Sequence, residues 1–155
     1  MRPATKVEQI TITRKIEFDA GHRIPDHGSQ CRNMHGHRYV LEATVTGEVH
    51  QQEGNPENGM VIDFGALKHI MLSSVGEPWD HAFLVYRNDT TVLNFLHSLP
   101  EHKTVVLDVV PTAENLVKVA AAQLNTALAQ RYKNRVSLVR LRLYETPNCW
   151  AEYVG

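Results

Sequence analysis

Two segments near the start of the chain alternate between hydrophobic and polar residues. In residues 7–19, one parity carries Ile10, Ile12, Arg14, Ile16 and Phe18. In residues 35–49, one face carries Tyr39, Leu41, Ala43 and Val45. A period of two is typical of a strand with one buried face, so both segments are predicted to be β-strands. The polar residues 23–33 between them contain Pro25 and Gly28 and are predicted to form a loop.

Two later segments have helical periodicity. After the turn-rich residues 51–59 and the short apolar residues 60–62, Asp63 is the predicted N-cap of a helix that runs to about Val75. Its predicted buried stripe is Phe64, Leu67, Ile70 and Met71. Glu77-Pro78 is predicted to break this helix, because proline lacks the backbone N–H.

The second helix is predicted to begin at Pro111-Thr112-Ala113-Glu114 and to continue to Arg131. Thr112 suits the N-cap position, and Glu114 in the first turn suits the positive end of the helix dipole. Beyond it, residues 136–145 and 149–154 are predicted strands, joined by the turn Thr146-Pro147-Asn148. The mixed residues 79–110 give no element that we can assign.

The predicted order is therefore strand, strand, helix, helix, strand, strand. This order predicts an α+β fold, in which a four-stranded antiparallel sheet carries two helices on one face. The length of 155 residues predicts a single domain over residues 1–155. The free edges of such a sheet invite closure by neighbouring subunits.

Composition excludes several classes of protein. The net charge of −1 gives no indication of a nucleic-acid partner or an anionic membrane. No apolar run is long enough to span a bilayer, and residues 1–9 lack the apolar segment of a secretory signal. With Cys31 and Cys149 as the two cysteines, a disulfide framework is not expected, and the reducing cytoplasm is the expected location.

A cluster of histidines points to metal chemistry. His35 and His37 are two residues apart in a predicted strand, so their side chains share a face, and Gly36 removes bulk from the opposite face. His22 follows the first strand and comes close to them if the two strands pair. Three imidazoles with a fourth position open are the pattern of a catalytic zinc site. The alternative is a set of polar strand residues that bind no metal.

Cys31 has two functional interpretations. As a fourth ligand it would close the site and make the zinc structural. As a free thiol beside zinc it would act as a base or nucleophile. The spacing of Cys31, His35 and His37 differs from that of the usual two-plus-two zinc knuckles, which favours the open site. The residues alone leave both interpretations open.

Asp80 and His81 form a second candidate pair. A carboxylate beside a histidine can orient the imidazole and raise its basicity. However, neighbouring residues in a strand point to opposite faces and need not touch. An ordinary surface pair is therefore the alternative.

Glu145 is a carboxylate at the end of an apolar face. Its parity is that of Val139, Leu141 and Leu143. A carboxylate in such a place is costly unless it is paired or binds a ligand, and a ligand edge with two parallel N–H donors would suit it. The alternative is a salt bridge with Arg140 or Arg142, although those arginines alternate onto the opposite face.

Taken in order, these residues resemble a known family over nearly the whole chain. The landmarks are Phe18-Asp19-Ala20-Gly21-His22-Arg23, Cys31-x3-His35-Gly36-His37, Val61-Ile62-Asp63-Phe64, Asp80-His81-Ala82-Phe83-Leu84, Pro111-Thr112-Ala113-Glu114-Asn115 and Glu145-Thr146-Pro147. The chain resembles the 6-pyruvoyltetrahydropterin synthase superfamily. Within it, the four-residue step from Cys31 to His35 resembles the bacterial 6-carboxy-5,6,7,8-tetrahydropterin synthases of queuosine biosynthesis, since the animal enzymes have a longer gap there.

The resemblance implies a role for each landmark residue. It implies a zinc ion held by His22, His35 and His37. The implied catalytic residues are Cys31 as the base, Asp80 and His81 as the relay that activates it, and Glu145 as the anchor of the pterin ring. Thr112 and Glu114 join Glu145 as the expected substrate-binding residues. Candidate cations for a triphosphate are Arg23, Arg32, Arg38, Lys68 and Arg87.

The resemblance also implies an assembly and a reaction. The family has the tunnelling fold, in which three four-stranded sheets join in a twelve-stranded barrel, two trimers stack as a hexamer, and active sites lie between subunits. The implied reaction is a lyase reaction that converts 7,8-dihydroneopterin triphosphate to 6-carboxytetrahydropterin, with release of acetaldehyde and triphosphate. The alternatives are a pyruvoyl-forming synthase, an aldolase-like cleavage of dihydroneopterin, and a non-catalytic protein whose zinc is closed off by Cys31.

Overall fold

The computed structural model describes residues 7–155, and a six-stranded sheet forms its framework. The strands are β1 (Ile10–His22), β2 (His35–Gly47), β3 (Ala82–Tyr86), β4 (Thr104–Leu107), β5 (Val136–Thr146) and β6 (Cys149–Val154). Their order across the sheet is β4, β3, β1, β2, β5, β6. The pairs β1–β2, β2–β5 and β5–β6 are antiparallel, whereas β1–β3 and β3–β4 are parallel. The α+β class is therefore confirmed, but the predicted sheet of four strands is wrong, because two parallel strands extend it beyond β1.

The two strongly periodic helices form where the sequence predicts them. They are α1 (Phe64–Met71) and α4 (Ala113–Tyr132). The Asp63 side chain accepts a hydrogen bond from the Ala66 N–H at 2.9 Å, and Thr112 accepts one from Asn115 at 3.2 Å, so both predicted N-caps are present.

The predicted break at Glu77-Pro78 is wrong. After α1 the chain makes one π-helical turn, Leu72–Gly76, and then continues into the short helix α2 (Glu77–Trp79). Pro78 directly follows the π-helical turn, where the regular i→i−4 bonding is already interrupted, so its missing N–H is tolerated there. Phe64, predicted to be buried, is the first residue of α1 and is 51% exposed.

The main core lies between one face of the sheet and the helices. It contains alternate residues of β1 and β2, among them Ile16, Phe18, Ala20, Tyr39, Leu41, Ala43 and Val45, and apolar residues of α1, α2 and α4, among them Leu67, Met71, Trp79, Leu116 and Leu124. The alternation that predicts β1 and β2 is thus confirmed. β1 has the predicted length but lies three residues further along the chain, from Ile10 to His22, which places that histidine inside the strand on the buried face.

Residues 79–110, which gave no assignable element, contain β3, the helix α3 (Thr90–Ser98) and β4. α3 lies in the crossover that two parallel strands require. It packs on β3 in a small second cluster of Val85, Val92 and Leu96, with Phe83 and Leu93 at its margin. β3 pairs with β1 along only three residues, from Ala20 to His22.

β5 contains two register shifts that bear on the site. In the pairing of β5 with β2, Thr44 lies opposite Arg140, whereas its neighbour Val45 lies opposite Leu138. Val139 therefore has no partner in β2 and forms a bulge. Such a bulge moves the following residues to the other parity. The buried face is therefore carried by Val136 and Leu138 before the bulge and by Leu141 and Leu143 after it, so the predicted parity is wrong at Val139.

The second shift, in the pairing of β5 with β6, lies between Tyr144 and Thr146 and leaves Glu145 as the extra residue at the end of the strand. In the described part of the chain, no helix has the length and apolarity needed to cross a membrane.

Candidate functional site

Three histidines converge where the β1–β2 pair ends. His22 lies opposite His35 and Ala20 lies opposite His37, so all three imidazoles project from the core side of the sheet. The ring centroids are 4.6 Å apart for His22 and His35, and 5.1 Å apart for the other two pairs. One ring nitrogen of each histidine lies within 4.8 Å of the other two, which is the arrangement of a metal site.

Glycine between His35 and His37 permits this approach. A Cβ atom on Gly36 would lie 2.9 Å from the carbonyl oxygen of Ala20, which is closer than a backbone contact allows. The sequence-based reason for Gly36, that it removes bulk behind the two histidines, is confirmed.

Hydrogen bonds orient two of the imidazoles. His22 Nδ1 lies 2.7 Å from the Pro111 carbonyl oxygen, and His35 Nδ1 lies 2.7 Å from that of Asn33. A carbonyl oxygen can only accept, so each Nδ1 carries the proton and each Nε2 keeps a free lone pair.

The buried nitrogens of the cluster fit a metal ion. Nε2 of His22 and of His37 is buried and has no hydrogen-bond partner within residues 7–155. Burial lowers the pKa of His22 to about 4 and also lowers that of His37, so both rings are neutral at pH 7. Neutral imidazole nitrogens without another partner are the donors that divalent metals such as zinc take.

Glu145 lies beside the cluster. Its Oε1 is 3.7 Å from His22 Nε2, and its Oε2 is 3.9 Å from His37 Nε2. The salt bridge with arginine that the sequence left open is not observed, since Arg140 and Arg142 contact Glu152 instead. The bulge at Glu145 ends the regular pairing of β5 and β6 where this carboxylate turns toward the histidines.

Tyr39 forms the floor of the cluster. Its ring centroid lies 5.9 Å from that of His22 and 5.5 Å from that of His37. The side chain is fully buried, and its hydroxyl has no hydrogen-bond partner in the described chain. The sequence predicts Tyr39 only as a core residue, although it shares the parity of His35 and His37.

Asp80 and His81 do contact each other. His81 Nδ1 donates to Asp80 Oδ2 at 2.8 Å. Backbone bonds to Asp19 hold both residues: the Asp19 N–H donates to Asp80 Oδ1 at 2.9 Å, and the His81 N–H donates to the Asp19 carbonyl at 2.6 Å. The pair lies between α2 and β3, and His81 has a φ of 58°, so the opposite-face rule of a strand does not apply.

The hydrogen bond from the Asp19 N–H lowers the pKa of Asp80 most, and the hydrogen bond from His81 lowers it further. This carboxylate is therefore ionised at neutral pH. His81 and His37 line one cavity of about 480 Å³, together with Gly21, Gly36 and His102 among others. His102 had no sequence signal of its own. Asp19 and Arg38 also line this cavity and lie on the face of the sheet opposite the three imidazoles, and neither His22 nor His35 lines it. Within one subunit the structure therefore does not bring the Asp80–His81 pair to the histidine cluster.

Cys31 lies apart from these groups within one subunit. It occupies the 3₁₀ turn Gln30–Arg32 and is half-buried with a free thiol. It does not line the cavity of His81, and it is not among the three residues whose ligand atoms converge. Its carbonyl accepts a hydrogen bond from the Ile24 N–H at 2.8 Å, which ties the turn to the end of β1.

The start of α4 meets the cluster through the bond from His22 to Pro111. Thr112 is half-buried there, and Glu114 is exposed. Among the candidate cations for a triphosphate, three have acidic partners: Arg23 contacts Asp89, Arg38 contacts Glu17 and Asp19, and Arg87 contacts Asp108.

Known proteins resemble the chain in sequence and in structure. Residues 11–155 match the family described as 6-pyruvoyl tetrahydropterin synthase. A protein of Rickettsia bellii named 6-carboxy-5,6,7,8-tetrahydropterin synthase is 38% identical over 143 residues, which cover 92% of this chain and 99% of the relative. A protein of Rickettsia conorii with the same name is 36% identical over 145 residues, with coverage of 92% and 99%.

A solved structure shows the same fold. The structure of Caenorhabditis elegans 6-pyruvoyl tetrahydropterin synthase superposes with a TM-score of 0.67 and 25% sequence identity, and the match covers 97% of this chain and 99% of that one.

Proposed function

Because the chain belongs to the 6-pyruvoyl tetrahydropterin synthase family of enzymes, we propose that it is a zinc-dependent 6-carboxy-5,6,7,8-tetrahydropterin synthase. One observation carries the proposal: three histidines converge, two of them with buried and unpartnered nitrogens, beside the carboxylate of Glu145. The relatives that match 92% of the chain support the choice of product.

We propose that His22, His35 and His37 hold zinc. Three imidazole ligands leave a fourth position open, which is typical of catalytic rather than structural zinc. When bound, zinc supplies a Lewis acid that stabilises negative charge developing on an oxygen of the substrate side chain. The closed structural site, the non-catalytic alternative, is disfavoured because Cys31 is not one of the converging residues.

Proton transfer is assigned to Cys31 and to the Asp80–His81 pair. The Cys31 thiolate removes a carbon-bound proton from the substrate side chain. The bond from His81 to Asp80 fixes the imidazole and leaves its Nε2 to take up and return protons. Since Cys31 and His81 of one subunit do not line the same cavity, the proposal requires that Cys31 of one subunit meets this pair from a neighbour.

Glu145 is assigned to the pterin ring. A carboxylate accepts two parallel N–H bonds from the amino-pyrimidinone edge of a pterin, as it does from a guanidinium group. The absence of an arginine contact in the described chain leaves its two oxygens available for this edge. Thr112 and Glu114, at the start of α4, are proposed as further substrate contacts.

The proposed reaction balances without a redox cofactor. Carboxytetrahydropterin and acetaldehyde together contain the atoms of dephosphorylated dihydroneopterin. Release of triphosphate therefore consumes one water molecule, and the ring gains the reducing equivalents that the side chain loses. The carbon–carbon bond that breaks lies within the substrate side chain. The two outer carbons of that side chain leave as acetaldehyde, and its innermost carbon becomes the carboxylate.

An oligomer is proposed from two strands that have unpaired edges, namely β6 and most of β1. β3 covers only the last three residues of β1, so the stretch from Ile10 to Asp19 has no strand beside it on that edge among residues 7–155. β6 is likewise an outer strand. We propose that β6 of one subunit pairs with β1 of the next, so that β1, β2, β5 and β6 of three subunits close a twelve-stranded barrel, and that two such trimers form a hexamer.

One assay tests the proposed function. Zinc-loaded protein is incubated with 7,8-dihydroneopterin triphosphate, the pterin product is identified by mass, and acetaldehyde is trapped as a hydrazone. We expect carboxytetrahydropterin and acetaldehyde in equal amounts, and no turnover after chelation until zinc is restored. Pyruvoyltetrahydropterin without acetaldehyde would assign the chain to the pyruvoyl-forming reaction that the family's description names.

Carboxytetrahydropterin formation is the reaction proposed here to serve queuosine biosynthesis. A cytoplasmic location stays a prediction from the cysteine content, and both cysteines are free in the structure.

A further inference from the structure

Arg23 and Asp89 form an ion pair with two hydrogen bonds. Arg23 Nε donates to Asp89 Oδ2, and Arg23 Nη2 donates to Asp89 Oδ1, both at 2.6 Å. The Asp89 side chain is 4% exposed and that of Arg23 is 25% exposed. The hydrogen bond from Arg23 holds the pKa of Asp89 below its usual value, so the pair is charged at pH 7. Two parallel bonds fix the orientation of the planar guanidinium as well as its distance.

This pair connects the candidate site to the crossover between β3 and β4. Arg23 directly follows the proposed ligand His22 at the end of β1, and Asp89 directly precedes α3. The pair is therefore the polar link between the histidine cluster and a segment whose role the sequence did not reveal.

Arg23 also contacts the turn that carries Cys31. Its Nη1 donates to the carbonyl of Arg32, the residue after Cys31, at 3.4 Å. A bond of that length is near the limit of hydrogen-bond geometry, so a small rotation of the guanidinium would break it. Asp89 prevents that rotation. A second hydrogen bond holds the same turn: the N–H of Ile24, the residue after Arg23, donates to the Cys31 carbonyl.

We propose that Arg23 and Asp89 are positioning residues, which fix the turn that carries Cys31 relative to the three-histidine cluster. The inference rests on the proposed function only for the role of Cys31 as the base. It also implies that Arg23 does not bind the triphosphate, because Asp89 binds the Nε–Nη2 edge of its guanidinium and the Arg32 carbonyl accepts from Nη1.

The chain offers a matched control pair. Arg87 follows β3 and Asp108 follows β4, and they form an ion pair at 2.7 Å, but their side chains are 60% and 76% exposed. Within residues 7–155, no side-chain hydrogen bond joins this pair to the turn of Cys31 or to the histidine cluster. Asp108→Asn therefore removes the same charge from the same kind of pair, without touching the turn of Cys31.

The experiment compares Asp89→Asn, Asp89→Glu and Asp108→Asn in a Cys149→Ser background, where Cys31 is the sole thiol. For each variant, kcat and KM with 7,8-dihydroneopterin triphosphate, zinc content, thermal melting and the rate of Cys31 alkylation by iodoacetamide are measured. We expect Asp89→Asn to lower kcat by roughly ten- to a hundredfold, because a displacement of about 1 Å has that effect on a catalytic group. KM and zinc content stay at the values of the Cys149→Ser parent, the alkylation rate of Cys31 rises, Asp89→Glu recovers most of the lost kcat, and Asp108→Asn matches the parent in kcat and alkylation rate.

Three results would overturn the inference. The first is an Asp89→Asn protein that matches Asp108→Asn in both kcat and alkylation rate. The second is a rise in KM alone, which would make Arg23 a substrate contact. The third is a loss of kcat that only follows loss of zinc or of folded protein. If the parent protein does not turn over, the proposed function fails, and the alkylation rates alone decide between a fixed and an unfixed turn.

Discussion

Burial of a neutral histidine makes the metal-free protein sensitive to mild acid. The His22 side chain is 1% exposed, and burial lowers its pKa from the ordinary 6.5 to about 4. Between these two values the unfolded chain binds the proton and the folded chain does not. The contribution of His22 to stability is thus fully present above pH 6.5 and is lost as the pH falls toward 4.

The size of the loss follows from the two pKa values. Proton linkage over this interval lowers the free energy of unfolding by about 2 kcal/mol between pH 7 and pH 5. His37, whose pKa burial also lowers, acts in the same direction. The loss of unfolding free energy between pH 7 and pH 5 is therefore compared between the wild type and a variant at position 22. The difference between the two losses is the contribution of His22.

The assay is urea unfolding of chelated protein at pH 7 and pH 5, at one fixed protein concentration because an oligomer's stability depends on it. His22→Asn cannot titrate, and its amide can still donate to the Pro111 carbonyl, so its loss between the two pH values should be smaller by about 2 kcal/mol. His69→Asn replaces an exposed histidine of α1 and serves as the matched control. A His22→Asn protein that loses as much stability as the wild type would refute the reasoning.

Four further outcomes are expected. Cys31→Ala should retain zinc by metal analysis and lose about 10²- to 10⁴-fold in kcat, since it removes the proposed base; loss of zinc would make the thiol a ligand. Glu145→Gln should weaken pterin binding by about 1.5–3 kcal/mol in calorimetry, the usual contribution of hydrogen bonds to a charged group, and an unchanged affinity would remove its anchoring role. Lys103 donates to the carbonyls of Glu77 and Asp80 at 2.6 Å, so Lys103→Met should lower kcat, with KM unchanged, by up to about tenfold; equal kcat values would contradict this. Gly36→Ala should lower the free energy of unfolding by about 1–3 kcal/mol in urea, because its Cβ would lie 2.9 Å from the Ala20 carbonyl, and full stability would show that the strands can separate there.

Most of the antiparallel part of the fold could be predicted, because each of its elements shows its period over several repeats. β1 and β2 have 13 residues each and α4 has 20, so alternation and helical spacing are both visible in the sequence. β3 and β4, with 5 and 4 residues, are too short for a period to appear. β3 pairs with β1, and β4 with β3, in parallel. Parallel pairing depends on a crossover connection, which no local sequence pattern indicates.

The site shows the same division. The histidine cluster could be predicted, because it rests on two aligned strands whose register the alternation determines. The contact between Asp80 and His81 could not, since it depends on a positive φ at a residue other than glycine. Nor could the ion pair of Arg23 with Asp89, whose partners are 66 residues apart and meet only because β3 adds to the sheet.

The narrow junction between β1 and β3 makes the far edge of the sheet the part that opens most readily. β3 pairs with β1 along three residues, and although Ala82, Leu84 and Leu107 of β3 and β4 enter the main core, α3 packs in the small separate cluster with Val85. Amide hydrogens of α3 should therefore exchange with solvent through an opening that leaves the main core intact. His22 is the last residue of the junction between β1 and β3. The proposed metal site thus lies where this edge joins the antiparallel strands, and an ion that holds His22 to β2 should slow hydrogen exchange in β3 beside it.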